Sequence, residues 1–374
     1  MDNKRPTWAE IDLEAVRHNL RQIREAAEGS KVMAVVKANA YGHGMLKVCE
    51  VCLKEGVDYF GVASLDEALN IREENIRTPI LILGYVSPEY AEIIIENDIS
   101  CTVFNLNMAE ALSRAAVKLG KKAAVHIKID TGMGRLGFLP DEESLDIVRN
   151  IIALPGILVE GIFTHFATAD VRDKSFAYEQ LTRFNWFVSE LEKDGTKIPI
   201  KHCSNSAALI DLPEARFNMV RAGIILYGLY PSREVDQNRV KVIPVMRLKS
   251  KISFIKELPA GHTVSYGRTY RCLVPTRVAV VPVGYADGYS RLLSNKAWAM
   301  VKGKKVPLIG TVCMDQCMFD VSEVEGVKEG DEVLLFGRKE DGITVDDLAS
   351  IIGTINYEVL SCIGPRVPRI FIGE

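Results

Sequence analysis

Lys37 closes an apolar run, Val32-Met33-Ala34-Val35-Val36, that reads as a buried strand. Desolvating an ammonium is costly. A lysine in that place therefore either snorkels to solvent or is held there for its amine. Burial lowers an amine's pKa, and a neutral amine can form a Schiff base with a carbonyl cofactor. Other chemically capable residues repeat the placement. Asp130, His165, Ser204 and Arg221 each fall just after the apolar part of a strand pattern. Taken singly, each has a plainer reading: Arg221 could pair with a surface aspartate, and a serine at a strand end is a weak signal.

The elements that carry these residues alternate. Strand patterns cover 32–36, 59–63, 79–83, 101–104, 123–129, 158–164, 199–203 and 218–220. Amphipathic stretches at 65–74, 88–97, 107–119, 142–153 and 174–193 lie between most of them. Eight parallel strands with intervening helices point to a (β/α)8 barrel, whose strand carboxyl ends form one chemical face. Lys37 and the four polar residues above would share that face.

After about residue 241 the pattern changes. Short β-rich runs at 242–254, 277–283, 297–301, 305–312, 318–321 and 332–336, broken by Gly and Pro, read as an all-β domain. One helix at 345–352 interrupts it and a strand at 366–372 ends it. The expected division is therefore a barrel over 1–240 and a β domain over 241–374. The segment 7–13 precedes a helix that Asp12 could cap.

Composition narrows the classes. At 374 residues the chain exceeds one ordinary core, and with 48% hydrophobic and 25% charged residues it resembles a soluble globular protein. A net charge of −3 with no Lys/Arg block gives no field for nucleic acid. The first ten residues lack the apolar core of a signal peptide, and no apolar stretch approaches a membrane span. Eight irregularly spaced cysteines suggest free thiols in a reducing cytoplasm. Cys49-x-x-Cys52 falls in a helix pattern without further ligands, so packing is preferred to metal there, and no metal site is expected.

The run Ala34-Val35-Val36-Lys37-Ala38-Asn39-Ala40-Tyr41-Gly42-His43-Gly44 resembles the pyridoxal-phosphate attachment motif of the alanine racemases. Four further segments are similar to family motifs, in family order. They are His126-Ile127-Lys128-Ile129-Asp130-Thr131-Gly132-Met133-Gly134-Arg135-Leu136-Gly137, Asn218-Met219-Val220-Arg221-Ala222-Gly223-Ile224, Val283-Gly284-Tyr285-Ala286-Asp287-Gly288-Tyr289 and Cys313-Met314-Asp315-Gln316. The resemblance implies an isomerase that interconverts L- and D-alanine on pyridoxal 5'-phosphate, for cell-wall synthesis. It implies a head-to-tail homodimer with shared sites, and residues 1–10 packed with the β domain.

It also assigns roles. Lys37 would hold the cofactor and act as one base. Tyr266, in Ser265-Tyr266-Gly267, would be the other base, supplied by the partner subunit; without the resemblance it reads as a turn aromatic. Arg221 would face the pyridine nitrogen, and His165 would link it to the tyrosine. Tyr41, Asn205, Ser206, Gly223, Ile224 and Tyr357 would cradle the phosphate, and Gly223 would let backbone approach closely. Arg135 would bind the substrate carboxylate or orient the cofactor's phenolic oxygen, Met314 and Asp315 would belong to the partner-subunit loop that closes the site, and Tyr285 would stand at its entrance. Lys128 matches a lysine that some relatives carbamylate; an ordinary salt-bridging lysine is the other reading. A racemase of broader specificity, a fold-related decarboxylase and a non-catalytic cofactor carrier remain alternatives. Decarboxylases of this architecture place a carboxylate at the ring nitrogen, which Arg221 is not.

Overall fold

The computed structural model describes residues 5–193 and 195–373. The chain forms two compact units. One comprises Val16–Ala40 and Met45–Val242; the other comprises the residues up to Ala15, Tyr41–Gly44 and the chain from Ile243 onward.

The first strand, β1 (Trp8–Asp12), belongs to the second unit. The first unit holds β2 (Lys31–Val35), β3 (Tyr59–Val62), β4 (Ile80–Ile82), β5 (Ser100–Val103), β6 (Ala123–Lys128), β7 (Ile157–Phe163), β8 (Ile200–His202) and β9 (Met219–Ala222). These pair in parallel in the order β8-β7-β6-β5-β4-β3-β2-β9. Asn218 N–H donates to Lys201 O at 3.1 Å and Arg221 N–H to Ser204 O at 3.0 Å, joining the two end strands into a closed barrel. Helices return the chain between strands, and polar residues start them. Ser64, Asn105 and Asp141 each accept from an amide of the first turn they cap. The pattern at 88–97 resolves into a 3-10 turn, Pro88–Tyr90, and a helix, Ala91–Glu96. A proline at the first position favours such a tight start.

The second unit is built from β10 (Met246–Lys251), β11 (Phe254–Leu258), β12 (Thr263–Val264), β13 (Tyr270–Arg271), β14 (Thr276–Val281), β15 (Trp298–Val301), β16 (Lys304–Pro307), β17 (Cys317–Asp320), β18 (Glu332–Phe336) and β19 (Arg369–Ile372). They form a six-stranded sheet, β16-β15-β18-β10-β1-β19, a three-stranded sheet, β11-β14-β17, and the hairpin β12-β13. The run expected at 242–254 shortens to β10, and its last residue, Phe254, already begins β11 in a different sheet. The hairpin β12-β13 carries Tyr266 in its turn, as the turn-aromatic reading has it, though its two-residue strands were outside the strand pattern. Strand β1 sits between β10 and β19, so the start of the chain completes this sheet. Asp12 ends β1 and begins the helix Leu13–Ala27: Oδ1 accepts from Ala15 N–H at 3.1 Å, and Oδ2 pairs with Arg338 at 2.6 Å.

Directly after Lys37 the backbone turns left-handed. Ala38, Asn39, Ala40 and Tyr41 have φ of 52, 54, 55 and 52°, and Gly42 follows at 85°. A non-glycine residue costs about 1–2 kcal/mol in this region, so a run of four is a deliberate departure. Specific bonds hold it. Ala38 N–H donates to Glu67 Oε1 at 2.6 Å, Ala40 N–H to Val36 O at 2.8 Å, and Met45 N–H to Asn39 Oδ1 at 2.8 Å.

Two outcomes follow from these local arguments. Asp12→Ala removes a cap and an ion pair together and should lower unfolding free energy by about 1–2 kcal/mol in urea titration. Ala38→Gly relieves one left-handed residue while leaving its amide bond to Glu67. It should raise stability by up to about 1 kcal/mol by the same measurement. A loss of stability there would mean that the left-handed run is not strained.

Candidate active site

The strand ends of the barrel gather cations. Arg221, on β9, is 4% exposed. Its Nη1 donates to His202 O at 2.7 Å and His202 Nδ1 at 3.1 Å. Its Nη2 donates to Thr164 O at 2.8 Å, Cys203 O at 3.0 Å and His165 Nδ1 at 3.2 Å. The plane also lies over Phe163, 5.4 Å from its centroid. Burial lowers the guanidinium to about 10, which leaves it charged at neutral pH. It has donors and no acceptor, so both imidazole Nδ1 atoms facing it must be unprotonated. The proton of neutral His165 is therefore on Nε2, a donor. Burial first, then the charges of Arg221, Arg135, Lys128 and Lys37, holds His165 well below the usual imidazole range. It is neutral at physiological pH. The surface ion pair that Arg221 could have made is not formed; every Nη partner is a carbonyl or an imidazole.

Lys37 is half-buried at the same face. Desolvation, then Arg135, lowers its amine, with Glu67 opposing. This is the direction a nucleophilic or basic amine requires. Lys128 is 5% exposed at the end of β6 and donates to Ile129 O at 2.8 Å. It makes no ion pair among the described residues, so the salt-bridged reading does not hold. Burial, then the charge of Arg221, brings it down to about 7. The glycine-rich loop beyond is anchored by Asp130. Its carboxylate accepts from Gly132 and Gly134 N–H at 3.0 Å and from Arg135 N–H at 2.8 Å. Burial would raise that carboxyl, but these three amides and Lys128 hold it below its ordinary value. Arg135 itself is exposed at this loop.

After β8 and β9 lies a patch of donors. Ser206 Oγ accepts from Gly223 N–H at 3.1 Å and Ile225 N–H at 3.4 Å, leaving its own proton to donate. Ile224 opens the 3-10 turn Ile224–Tyr227. Asn205 caps the helix Ser206–Asp211, its Oδ1 accepting from Ala208 N–H at 3.0 Å. Ser204 Oγ is buried with no partner among the described residues.

In the second unit, Tyr266 is 71% exposed. Its carbonyl accepts from Thr311 Oγ1 at 2.8 Å, and Ser265 Oγ donates to Thr311 O at 2.6 Å. Tyr285 N–H donates to Cys313 O at 3.1 Å and Ala286 N–H to Met314 O at 3.0 Å. One loop cluster therefore presents Tyr266, Tyr285 and Met314, all exposed. Asp315 pairs with Arg366 at 2.6 Å, a partner the sequence did not suggest. Tyr41 and Tyr357 lie with ring centroids 6.1 Å apart.

Residue reading missed His202, Thr164 and Glu67. His202 left no signal beyond its place in a strand. Thr164 acts through its carbonyl, which any residue could supply. Glu67 lies in an ordinary helix start.

With this geometry in view, likeness to known proteins is informative. The family model described as alanine racemase, N-terminal domain, matches residues 11–231, and that described as alanine racemase, C-terminal domain, matches 245–371. The alanine racemase of Clostridium perfringens is 51% identical over 369 residues, covering 98% of this chain and 95% of that protein. The solved alanine racemase of Clostridium difficile superposes with a TM-score of 0.95 at 44% identity, covering 99% of this chain and 97% of the other. The same enzyme in complex with cycloserine gives 0.93 at 43% identity, covering 99% and 96%. Family motifs, both domains and the whole length agree: the chain belongs to the alanine racemase family.

Proposed function

We propose that the protein interconverts L- and D-alanine, using pyridoxal 5'-phosphate held by Lys37 and two bases on opposite sides of the substrate. The observation that carries this reading is the buried donor-only Arg221 linked to neutral His165 at the face where Lys37 has a lowered amine. The donor set fits the cofactor. Ser206 keeps a free hydroxyl proton, Ser204 Oγ is an orphan, and the amides near Gly223 and Ile224 open a turn, which together suit a phosphate. Asn205 completes the proposed cradle within the barrel unit. Arg221 keeps its Nε–H without an acceptor among the described residues, a donor for the ring nitrogen. When bound, the cofactor takes up the electron pair left as an amino acid's α-hydrogen departs.

The chain's own residues decide the rest. Lys37, its amine lowered by burial and then by Arg135, would take or return a proton at the α-carbon from one side. Tyr266 of a second copy does so from the other, and the exposed cluster of Tyr266, Tyr285 and Met314 suits a partner's surface. His165 Nε2–H, facing away from Arg221, can stabilise a phenolate. Arg135 would bind the substrate carboxylate or orient the cofactor's phenolic oxygen, and Met314 and Asp315 of the second copy would close the site, with Tyr285 at its entrance. Arg221, a donor that does not yield its proton, would leave the cofactor's ring nitrogen unprotonated if it faces it. This limits electron withdrawal and favours prompt return of the proton to carbon. It argues against the decarboxylase alternative. We place the enzyme in the cytoplasm as a head-to-tail homodimer that supplies D-alanine for cell walls.

Racemisation of alanine by the purified protein is the direct test. Borohydride reduction followed by peptide mapping should mark Lys37, and label on another lysine would remove the assignment. In Tyr266→Phe, solvent deuterium should still enter the α-carbon of D-alanine but not of L-alanine. Equal loss from both enantiomers in a folded variant contradicts the two-base scheme.

Lys128 supplies a separate outcome. Its amine, brought down to about 7 by burial and Arg221, withdraws stability as pH falls from the unfolded lysine value toward 7. Reaction with CO2 forms an N–C bond, releases a proton and leaves an anion beside Arg135. Bicarbonate near pH 8 should then raise Tm and add the mass of one CO2 at Lys128. Lys128→Met should show neither effect.

A further inference from the structure

We propose that Glu160 and His126 are positioning residues that orient Arg221 from within the barrel, acting through His202. This rests on the role proposed above for Arg221. The interior of an eight-stranded barrel is ordinarily filled by branched apolar side chains. Here His126 and His202 are both fully buried, a costly choice unless the rings are held by hydrogen bonds and by a facing charge.

The chain of donors can be followed atom by atom. Arg221 Nη1 donates to His202 Nδ1 at 3.1 Å, so that ring carries its proton on Nε2. His202 Nε2 lies 2.9 Å from His126 Nδ1, which must then be the acceptor. The proton of His126 is accordingly on Nε2, which makes no hydrogen bond among the described residues and faces the Glu160 carboxylate, 3.8 Å from Oε2, so that the two interact through charge. Ser100 Oγ donates to the same carboxylate oxygen at 2.9 Å. The sense runs one way, from guanidinium to carboxylate, and a reversed His202 would set a donor against Arg221.

Strand β7 is shaped for this path. In its register with β6, Val125 faces Val159 and His126 faces Gly161, which leaves Glu160 as the extra residue of a bulge. Bulges in parallel pairs are rare, and they re-aim a side chain. A Cβ at Gly161 would strike the imidazole of His126, so the glycine makes its place. Phe163 stacks on His202 with centroids 4.6 Å apart and planes 10° from parallel, which fixes the ring that Arg221 addresses.

The test uses the cofactor-loaded enzyme with ring-15N histidine. Wild type should show His126 and His202 each as a single tautomer, Nδ1 bare and Nε2 protonated. Glu160→Leu removes the carboxylate that His126 Nε2 faces. It should mix the tautomers and lower kcat about tenfold or more, with KM changed less than about twofold. Glu160→Gln keeps an acceptor and should restore one tautomer and most of kcat. Gly161→Ala displaces His126 without touching a charge and should reproduce the mixture even if Glu160→Leu folds poorly. A folded Glu160→Leu with wild-type ring signals and kcat overturns the proposal, as does a Gln variant as impaired as Leu. If the tautomers respond as stated but the wild-type enzyme does not racemise alanine, the relay stands and the functional reading fails.

Discussion

A guanidinium offers five N–H donors and accepts nothing, and burying one obliges its surroundings to be acceptors. Arg221 imposes that condition at the end of β9. Three carbonyls and two imidazole nitrogens satisfy its Nη atoms. The imidazoles inherit fixed tautomers from it. His165 must then be a donor on its far side, and His202 must donate into the barrel. No titration of either ring is needed, since burial, then Arg221, holds both well below the usual imidazole range. One immovable proton set thus defines polarity for the whole face.

The second constraint is positional. An amine useful to a carbonyl cofactor must be half-withdrawn from water and yet free to move, and Lys37 meets it by ending a strand. The left-handed run after it carries the chain away at once, against the preference of four non-glycine residues. Glu67 both anchors that run through the Ala38 amide and opposes the lowering of the lysine's pKa. Stability given up here is supplied elsewhere by ordinary means: a largely apolar strand core, capped helices and the sheet that β1 completes.

Much of this was legible in the residues. Apolar strands ending in single polar residues located Lys37, Asp130, His165 and Arg221 on one face, because barrel strands place their carboxyl ends together. The β-domain runs were visible through Gly and Pro punctuation. What escaped was structure without a compositional mark. Two-residue strands flanking Tyr266 are too short for a period, and the split of 242–254 between sheets needs tertiary pairing to appear. The left-handed run contains alanines, for which φ above zero is not an expectation. Asp315's pairing with Arg366 joins positions far apart in sequence. His126 lies inside a family motif, yet its partner two strands along on β8, His202, does not, and the relay exists only in the pair.

The measurement closest to the centre of this account is the ratio of pyruvate formed to racemisation turnovers in Arg221→Glu. A carboxylate at that position can share a proton with the ring nitrogen, which a guanidinium cannot. Protonation at the cofactor rather than the α-carbon should become more frequent, so the ratio should rise while racemisation falls. A folded, cofactor-binding Arg221→Glu enzyme with an unchanged ratio would contradict the claim that the guanidinium governs the ring nitrogen.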